Sequence, residues 1–158
     1  IVVLGILAVT AAPQFINFSS DARTSSLKGM EGSVKGAMQL AYSKAAIEGD
    51  ETAATATVSV KGNTVNLVFG YPDASATGII NVVDAGFATD LGSDWVYEVV
   101  TGTPNTVVMA QSSSVTGTGT DGAYDSGDIA TSECYLTYTA AADANTPASI
   151  AVTNDDGC

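Results

Sequence analysis

The feature that most restricts how this chain can fold is an apolar run at its start. Residues 1–12 are apolar except for Thr10. A helix that spans a membrane needs about 20 apolar residues, so twelve are too few. The run also lacks an initiator Met and the basic region of a signal peptide. We therefore expect the chain to begin inside a longer hydrophobic segment, although the run alone would also fit a buried first strand or core helix of a cytosolic domain.

The residues that follow predict a helix that continues to about Glu48. No proline occurs after Pro13 in this stretch, and apolar residues recur at spacings of three and four. They are Leu27, Met30, Val34, Ala37, Ala41 and Ala45. A helix from Ile1 to Glu48 would be about 70 Å long, too long for a head of this size to cover. We predict a projecting hydrophobic helix over 1–24, which must be covered by a membrane or by copies of itself.

Glycine and proline mark special positions in this helix. The stretch from Gly5 to Pro13 is expected to bend or unwind, because glycine is a poor helix former and proline removes a backbone donor. Gly29, Gly32 and Gly36 would allow a neighbouring helix or the sheet to approach closely. The alternative is that the helix tolerates these glycines without a role for them.

The pattern after Gly49 is typical of strands and turns. Strands are predicted at 54–60, 64–69, 94–100, 106–110, 134–139 and 149–153. Lys61-Gly62-Asn63 predicts a hairpin, residues 77–91 fit a short helix or a buried turn, and residues 112–132 form a polar loop. The predicted fold class is α+β, with a long N-terminal helix packed on an antiparallel sheet. The head spans 25–158, with its amphipathic helix at 25–48 and its sheet at 49–158.

Charge is segregated along the chain. The net charge is −12, and every Lys and Arg lies at or before Lys61. An acidic head repels nucleic acid and anionic headgroups, so we expect no binding of nucleic acid by the head. The chain has no histidine, which removes the usual base of Ser-His and Cys-His sites. We expect no enzyme; a carboxylate pair such as Asp90 and Asp94 is a remote exception, because nothing positions the pair against a substrate.

The two cysteines, Cys134 and Cys158, have no spacing typical of zinc or redox motifs. One disulfide is the simplest pairing, and it would close a loop of about 25 residues with a stabilisation of about 3 kcal/mol. Such a bond implies an oxidising compartment, which is the periplasm or the cell exterior.

The sequence resembles type IV pilins. The resemblance rests on LGILAVTAAPQF at residues 4–15, on the long amphipathic helix, and on the β-rich head that ends in a cysteine pair. It is strongest to pilins of the mannose-sensitive haemagglutinin type, which have similar runs to Phe69-Gly70-Tyr71-Pro72, to Asp94-Trp95-Val96-Tyr97 and to Cys134-Tyr135-Leu136-Thr137-Tyr138 ahead of a closing Gly157-Cys158.

The resemblance implies the type IV pilin fold and the role of a major structural subunit. It implies polymerisation through the N-terminal helix into an extracellular filament for adhesion, surface attachment, twitching motility or DNA uptake. The assembly residues would be Ile1, Val2, Val3, Leu4, Gly5, Ile6, Leu7 and Pro13. The family's leader, methylated first residue and assembly glutamate match no residue of this sequence. In the assembled fibre, Gly5–Pro13 would lose helicity.

The implied partners are other copies of the chain, the pilus assembly machinery, the inner membrane before assembly, and host or abiotic surfaces. Two alternatives remain open. One is the major pseudopilin of a type II secretion system, against which the terminal disulfide argues. The other is a membrane-anchored secreted carbohydrate-binding module, which would be a sugar-binding monomer instead of a fibre.

Two loop features suggest sites in the head. Asp121, Asp125 and Asp128 collect carboxylates of the kind that calcium prefers, but their spacing departs from the EF-hand, and a solvated acidic loop is the alternative. The serines and threonine at 112–116 are candidate attachment points for O-linked sugars, with a plain loop as the alternative. They are Ser112, Ser113, Ser114 and Thr116. No cofactor other than calcium is expected.

Overall fold

A long helix runs through the first third of the molecule. A computed structural model describes the backbone of residues 2–119 and 124–158, and the side chains from Ser19 onward in those ranges. The helix, α1, spans Val2–Glu48. Gly49 follows it, with a φ of 84° that gives the left-handed conformation typical of the residue after a helix C-terminus. The predicted end near Glu48 is confirmed.

In the single chain, α1 is helical without a break through Gly5 and Pro13. The predicted unwinding between these residues is therefore wrong for the single chain, whereas their loss of helicity in the assembled fibre stays a prediction. Within the part of the chain that the structure describes, no helix combines the length and apolarity needed to cross a bilayer.

A three-stranded antiparallel sheet follows α1. It comprises β1 (Ala56–Val60), β2 (Asn63–Val68) and β3 (Tyr71–Pro72), in that order. The predicted hairpin between β1 and β2 is confirmed, but its connection has two residues because Asn63 pairs with Val60. Lys61 and Gly62 have φ values of 51° and 86°, which matches the type I′ turn that suits the twist of two strands.

A second sheet contains five strands in the order β4 (Phe87–Ala88), β5 (Trp95–Val100), β6 (Thr106–Gln111), β7 (Tyr135–Thr139) and β8 (Ser149–Asn154). All neighbours are antiparallel except the short β4, which pairs with β5 in parallel. The one-turn helix α2 (Ile79–Val82) precedes β4, and α3 (Asp128–Thr131) precedes β7. The α+β class is confirmed, whereas the expectation of a single sheet is wrong.

Helix α1 forms one core with each sheet. Leu27 and Val34 pack with Leu136 and Tyr138 of the five-stranded sheet. Farther along, Ala41 and Ala45 pack on the three-stranded sheet. The predicted apolar stripe is buried except for Ala37, which is half-buried, and Met38 joins it. The Tyr138 hydroxyl donates to the Pro72 carbonyl at 2.6 Å and ties the two sheets together, and burial raises the pKa of this hydroxyl.

The other face of the five-stranded sheet is covered by the segment between β6 and β7. Val115 and Ile129 of this segment are buried against Val96, Val108 and Ala110. Four consecutive residues of β6, Val107–Ala110, are therefore buried on both faces of the sheet. The polar composition of residues 112–132 predicted a plain surface loop, and the structure shows that its few apolar residues complete a core.

Candidate functional site

The candidate site is the face of α1 that packs against neither sheet. It consists of Ser25, Gly29, Gly32, Ser33, Gly36, Leu40, Ser43 and Ile47, and we call it the solvent stripe. At 100° per residue these positions lie opposite the buried residues Leu27, Val34 and Ala41. Lysines flank the stripe, but it contains no charged residue. One side of the helix is therefore exposed and uncharged, and three of its positions are glycines without a side chain.

The three glycines of the stripe have no role in packing within the chain. A Cβ placed at Gly29, Gly32 or Gly36 would meet no atom within 4 Å. The sheet therefore does not approach the helix at these positions, so that alternative is wrong, while close approach by a neighbouring helix stays a prediction. Each glycine lowers helix stability by about 1 kcal/mol relative to alanine. A close contact with another molecule would explain why the helix keeps all three.

Apolar surface is exposed on the same stripe. Leu40 is 52% exposed and Ile47 is 84% exposed. The hydroxyls of Ser33 and Ser43, on the same stripe, donate to carbonyls of the preceding turn, at 3.1 and 2.8 Å. Because these hydroxyl donors are already used within the helix, the stripe offers mainly apolar contact.

An open groove of about 490 Å³ runs along the stripe, between α1 and α2. Gly32, Gly36 and Leu40 line one wall, and Val82 and Val83 line the other. Lys61 and Asp84 lie at its rim as an exposed ion pair with an N–O distance of 3.7 Å. The groove is mostly apolar, with one charged pair at its edge.

The residues predicted to act in assembly belong to the same helix as the stripe. Val2–Leu7 and Pro13 belong to α1, and Ile1 lies outside the described residues. One unbroken helix cannot fold back on itself, so the apolar residues at its start cannot reach the groove beside Gly32 and Gly36. The two surfaces therefore cannot cover each other within one chain.

The C-terminal segment is fastened to the head and to α1. Cys134 and Cys158 form a disulfide with an S–S distance of 2.06 Å, so the predicted pairing is confirmed. The Gly157 amide donates to the Glu133 carbonyl at 2.8 Å. Arg23 of α1 donates to the Cys158 carbonyl at 3.3 Å.

Removing the disulfide by Cys134→Ala with Cys158→Ala is expected to lower the free energy of unfolding by about 3 kcal/mol, because the unfolded chain regains the entropy of an open loop. Thermal unfolding of the detergent-solubilised chain, followed by circular dichroism, measures the loss. Reduced wild-type protein should show a similar shift. An unchanged unfolding temperature in both samples would contradict the assigned role of the bond.

The acidic loop is held by one of its carboxylates. Asp128 accepts hydrogen bonds from the backbone amides of Thr118 and Asp125, at 2.9 and 2.8 Å, and from the Thr118 hydroxyl at 3.0 Å. The amide of Thr118 and then that of Asp125 lower the pKa of the Asp128 carboxyl. Asp121 lies outside the described residues. Among the described residues, no group of three or more His, Cys, Asp or Glu side chains is placed to hold a metal ion.

The same loop is pinned to β5. Glu98 accepts hydrogen bonds from the Ser126 hydroxyl at 2.5 Å and from the Gly127 amide at 3.0 Å. The Tyr124 hydroxyl donates to the Tyr97 carbonyl, and burial raises the pKa of Tyr124 to about 12. These contacts are not predictable from the sequence, since they join residues 27 to 29 positions apart and no local pattern marks them.

Acid is expected to loosen this loop. The folded-state pKa of Asp128 is lowered, so its contribution is present above the ordinary aspartate pKa of about 3.9 and is lost as the pH falls through the folded value. The amides of Thr118 and Asp125 should then lose protection from hydrogen exchange, as measured by NMR. Asp128→Asn should remove this step from the pH profile, and an identical acid step in the variant would contradict the assignment.

The candidate sugar-attachment residues differ in access. Ser113 and Thr116 are exposed, whereas the Ser114 hydroxyl oxygen is buried. The Ser112 hydroxyl donates to the Asp94 carbonyl at 3.4 Å. The carboxylate of Asp90 accepts from the Gly92 amide at 2.9 Å, so it caps a local turn. Of the four candidates for sugar attachment, which do not include Asp90, Ser113 and Thr116 are the accessible ones.

Comparison of the chain with protein-family models, with curated proteins and with solved structures found no match.

Proposed function

We propose that this chain is the major structural subunit of a type IV pilus, which polymerises through its N-terminal helix into an extracellular filament. One observation carries the proposal. The apolar N-terminal segment and the uncharged solvent stripe lie on a single continuous helix, Val2–Glu48, so neither can cover the other within one copy. Packing against other copies would bury both the apolar segment and the stripe.

The geometry of such contacts favours an open polymer. The apolar start of α1 and the stripe are different surfaces, so a contact between them in two copies is heterologous, and heterologous contacts that do not close produce filaments. The centre of the apolar segment near Leu7 and the stripe near Gly36 lie about 45 Å apart along the helix at 1.5 Å per residue. We therefore expect contacting copies to be staggered along the fibre axis by at least this distance, since unwinding of Gly5–Pro13 in the fibre would lengthen this path.

The glycines suit the stripe to receive a helix. Gly29, Gly32 and Gly36 have no side chain to hold two helix backbones apart, and close backbone contact is how small residues promote helix association in apolar surroundings. The groove beside Gly32 and Gly36 gives the incoming helix a second wall. In the assembled fibre, the stretch Gly5–Pro13 is expected to unwind, because Gly5 and Pro13 lower the stability of the helix where other copies pack against it.

The proposed setting follows from the chemistry of the chain. The disulfide is typical of the cell exterior, so the filament is expected outside the cell, with a pool of subunits in the inner membrane before assembly by pilus machinery. Attachment to host or abiotic surfaces, twitching motility or DNA uptake would be functions of the whole filament. The acidic head is not expected to bind nucleic acid.

Electron microscopy of fibres sheared from cells tests the proposal. Cells that make this subunit are expected to carry long thin fibres that contain it, and cells without it are expected to lose them. Short fibres confined to the periplasm would favour the pseudopilin instead. A soluble monomer that binds sugar would favour the carbohydrate-binding module and contradict the proposal.

A further inference from the structure

The surface charge of the head has one sign. Beyond Lys61 the chain has twelve acids and no base. Within the part of the chain that the structure describes, eight of these acids are exposed, whereas Asp73, Glu98 and Asp128 are half-buried and accept hydrogen bonds inside the chain. The exposed acids are Asp84, Asp90, Asp94, Asp125, Glu133, Asp143, Asp155 and Asp156.

Most cations of the chain are already engaged within it. Lys35 pairs with Glu31 at 2.6 Å, and Lys61 pairs with Asp84 at 3.7 Å. Lys44 donates to the Ser59 carbonyl and Arg23 to the Cys158 carbonyl. Lys28 makes no hydrogen bond or ion pair to a described residue.

Hydrogen bonds to carbonyls do not neutralise Arg23 and Lys44, but five cations cannot balance the seventeen acids of each copy. Every subunit that joins a fibre adds a net charge of −12. In the proposed fibre, the stripe and the apolar segment draw the copies together, and this contact places acidic heads near one another. The attraction and the repulsion therefore act on the same packing step.

We propose that mobile cations between the acidic heads regulate this packing, so that ionic strength controls the cohesion of the fibre. This inference rests on the proposed filament function. The screening length is about 30 Å at 0.01 M salt and about 10 Å at 0.1 M. At the lower concentration each head is repelled by acids across several neighbours, and at the higher one the repulsion is confined to adjacent surfaces.

The cations act by screening and not as bound metal ligands. The exposed acids are spread over the head, and no group of three or more His, Cys, Asp or Glu among the described residues is placed to hold a metal. The effect therefore follows total ionic strength, and chelation of divalent ions at high salt leaves the fibre intact.

The test uses sheared fibres of the full chain. Fibres are diluted at neutral pH into about 0.01, 0.1 or 0.5 M NaCl, and the released subunit is measured after the fibres are pelleted. We expect release to be about tenfold greater at the lowest salt than at the highest. Equal release at all three concentrations would overturn the inference, as would release caused by EDTA at 0.5 M NaCl.

A charge variant separates screening from other effects of salt. Asp94 and Asp155 are exposed and their carboxylates make no hydrogen bond to a described residue, so Asp94→Asn with Asp155→Asn removes two charges with little change in packing. Release at low salt should fall by about threefold, with no change at high salt. Thr55→Asn, at another exposed position, is the matched neutral control and should behave as wild type.

The outcomes also separate this inference from the proposed function. Fibres whose cohesion ignores salt and charge would overturn the inference and leave the filament function standing. A chain that forms no fibres at any salt concentration would overturn both.

Discussion

Replacing Leu7 with Asp is expected to abolish fibres while leaving the head folded. Leu7 lies in the apolar run at the start of α1, which the proposed filament buries among neighbouring copies. A carboxylate placed there has no cation in its own N-terminal segment, since every Lys and Arg of the sequence lies at or beyond Arg23. An unpaired buried charge costs several kcal/mol, and every subunit added to the fibre would incur this cost.

Leu7→Met is the matched control, because it nearly conserves volume and apolarity. It should form fibres in normal number. Electron microscopy gives the fibre count, and immunoblots of the membrane fraction show whether the subunit pool is present in each strain. Normal fibres in the Leu7→Asp strain would contradict assembly through the N-terminal helix.

Replacing Gly78 with Ala is expected to destabilise the head by about 3 kcal/mol, because the added methyl would overlap the carboxylate and carbonyl oxygens of Asp73. The overlap lies in the turn that starts α2. There the Gly78 amide donates to the Ser75 hydroxyl at 3.0 Å, and the Ile79 amide donates to the Asp73 carbonyl at 2.9 Å. Since Ile79 is fully buried, the turn cannot shift without disturbing the core.

Gly32→Ala is the control, and we expect it to change the free energy of unfolding in the opposite direction. Its Cβ meets no atom within 4 Å, so the isolated subunit should become more stable by about 1 kcal/mol through better helix propensity. Urea unfolding of the detergent-solubilised chains measures both changes. The same Gly32→Ala subunit should nevertheless form weaker fibres if the stripe receives a neighbouring helix. Equal stability of the Gly78→Ala variant and wild type would show that the turn adapts.

Local sequence patterns predicted most of the secondary structure. The spacing of Leu27, Val34 and Ala41 located the buried side of α1, and Lys61-Gly62 located a hairpin. These signals are local because helix and strand periodicity depend on neighbouring residues. The residues at 77–91 fitted either a short helix or a buried turn, and the structure places the helix α2 there at Ile79–Val82.

Long-range pairing was not predictable in the same way. The division of the strands into two sheets depends on which strands meet, and the Tyr138 hydroxyl reaches Pro72 across 66 positions. The loop contacts of Glu98 and Asp128 also join distant residues, and acidic composition alone suggested calcium at Asp128. For the candidate site, the sequence identified the glycines of α1, but their exposure and the groove beside them are properties of the packed fold.

Cryo-electron microscopy of the sheared fibres tests the central claim most directly. We predict a fibre in which the N-terminal segments of α1 lie along the axis, covered by neighbouring copies. The stripe at Gly29, Gly32 and Gly36 should face inward against another helix, and the acidic head surface should face outward. A fibre in which the N-terminal segments lie on the outside, or in which the stripe faces solvent, would contradict assembly through this helix.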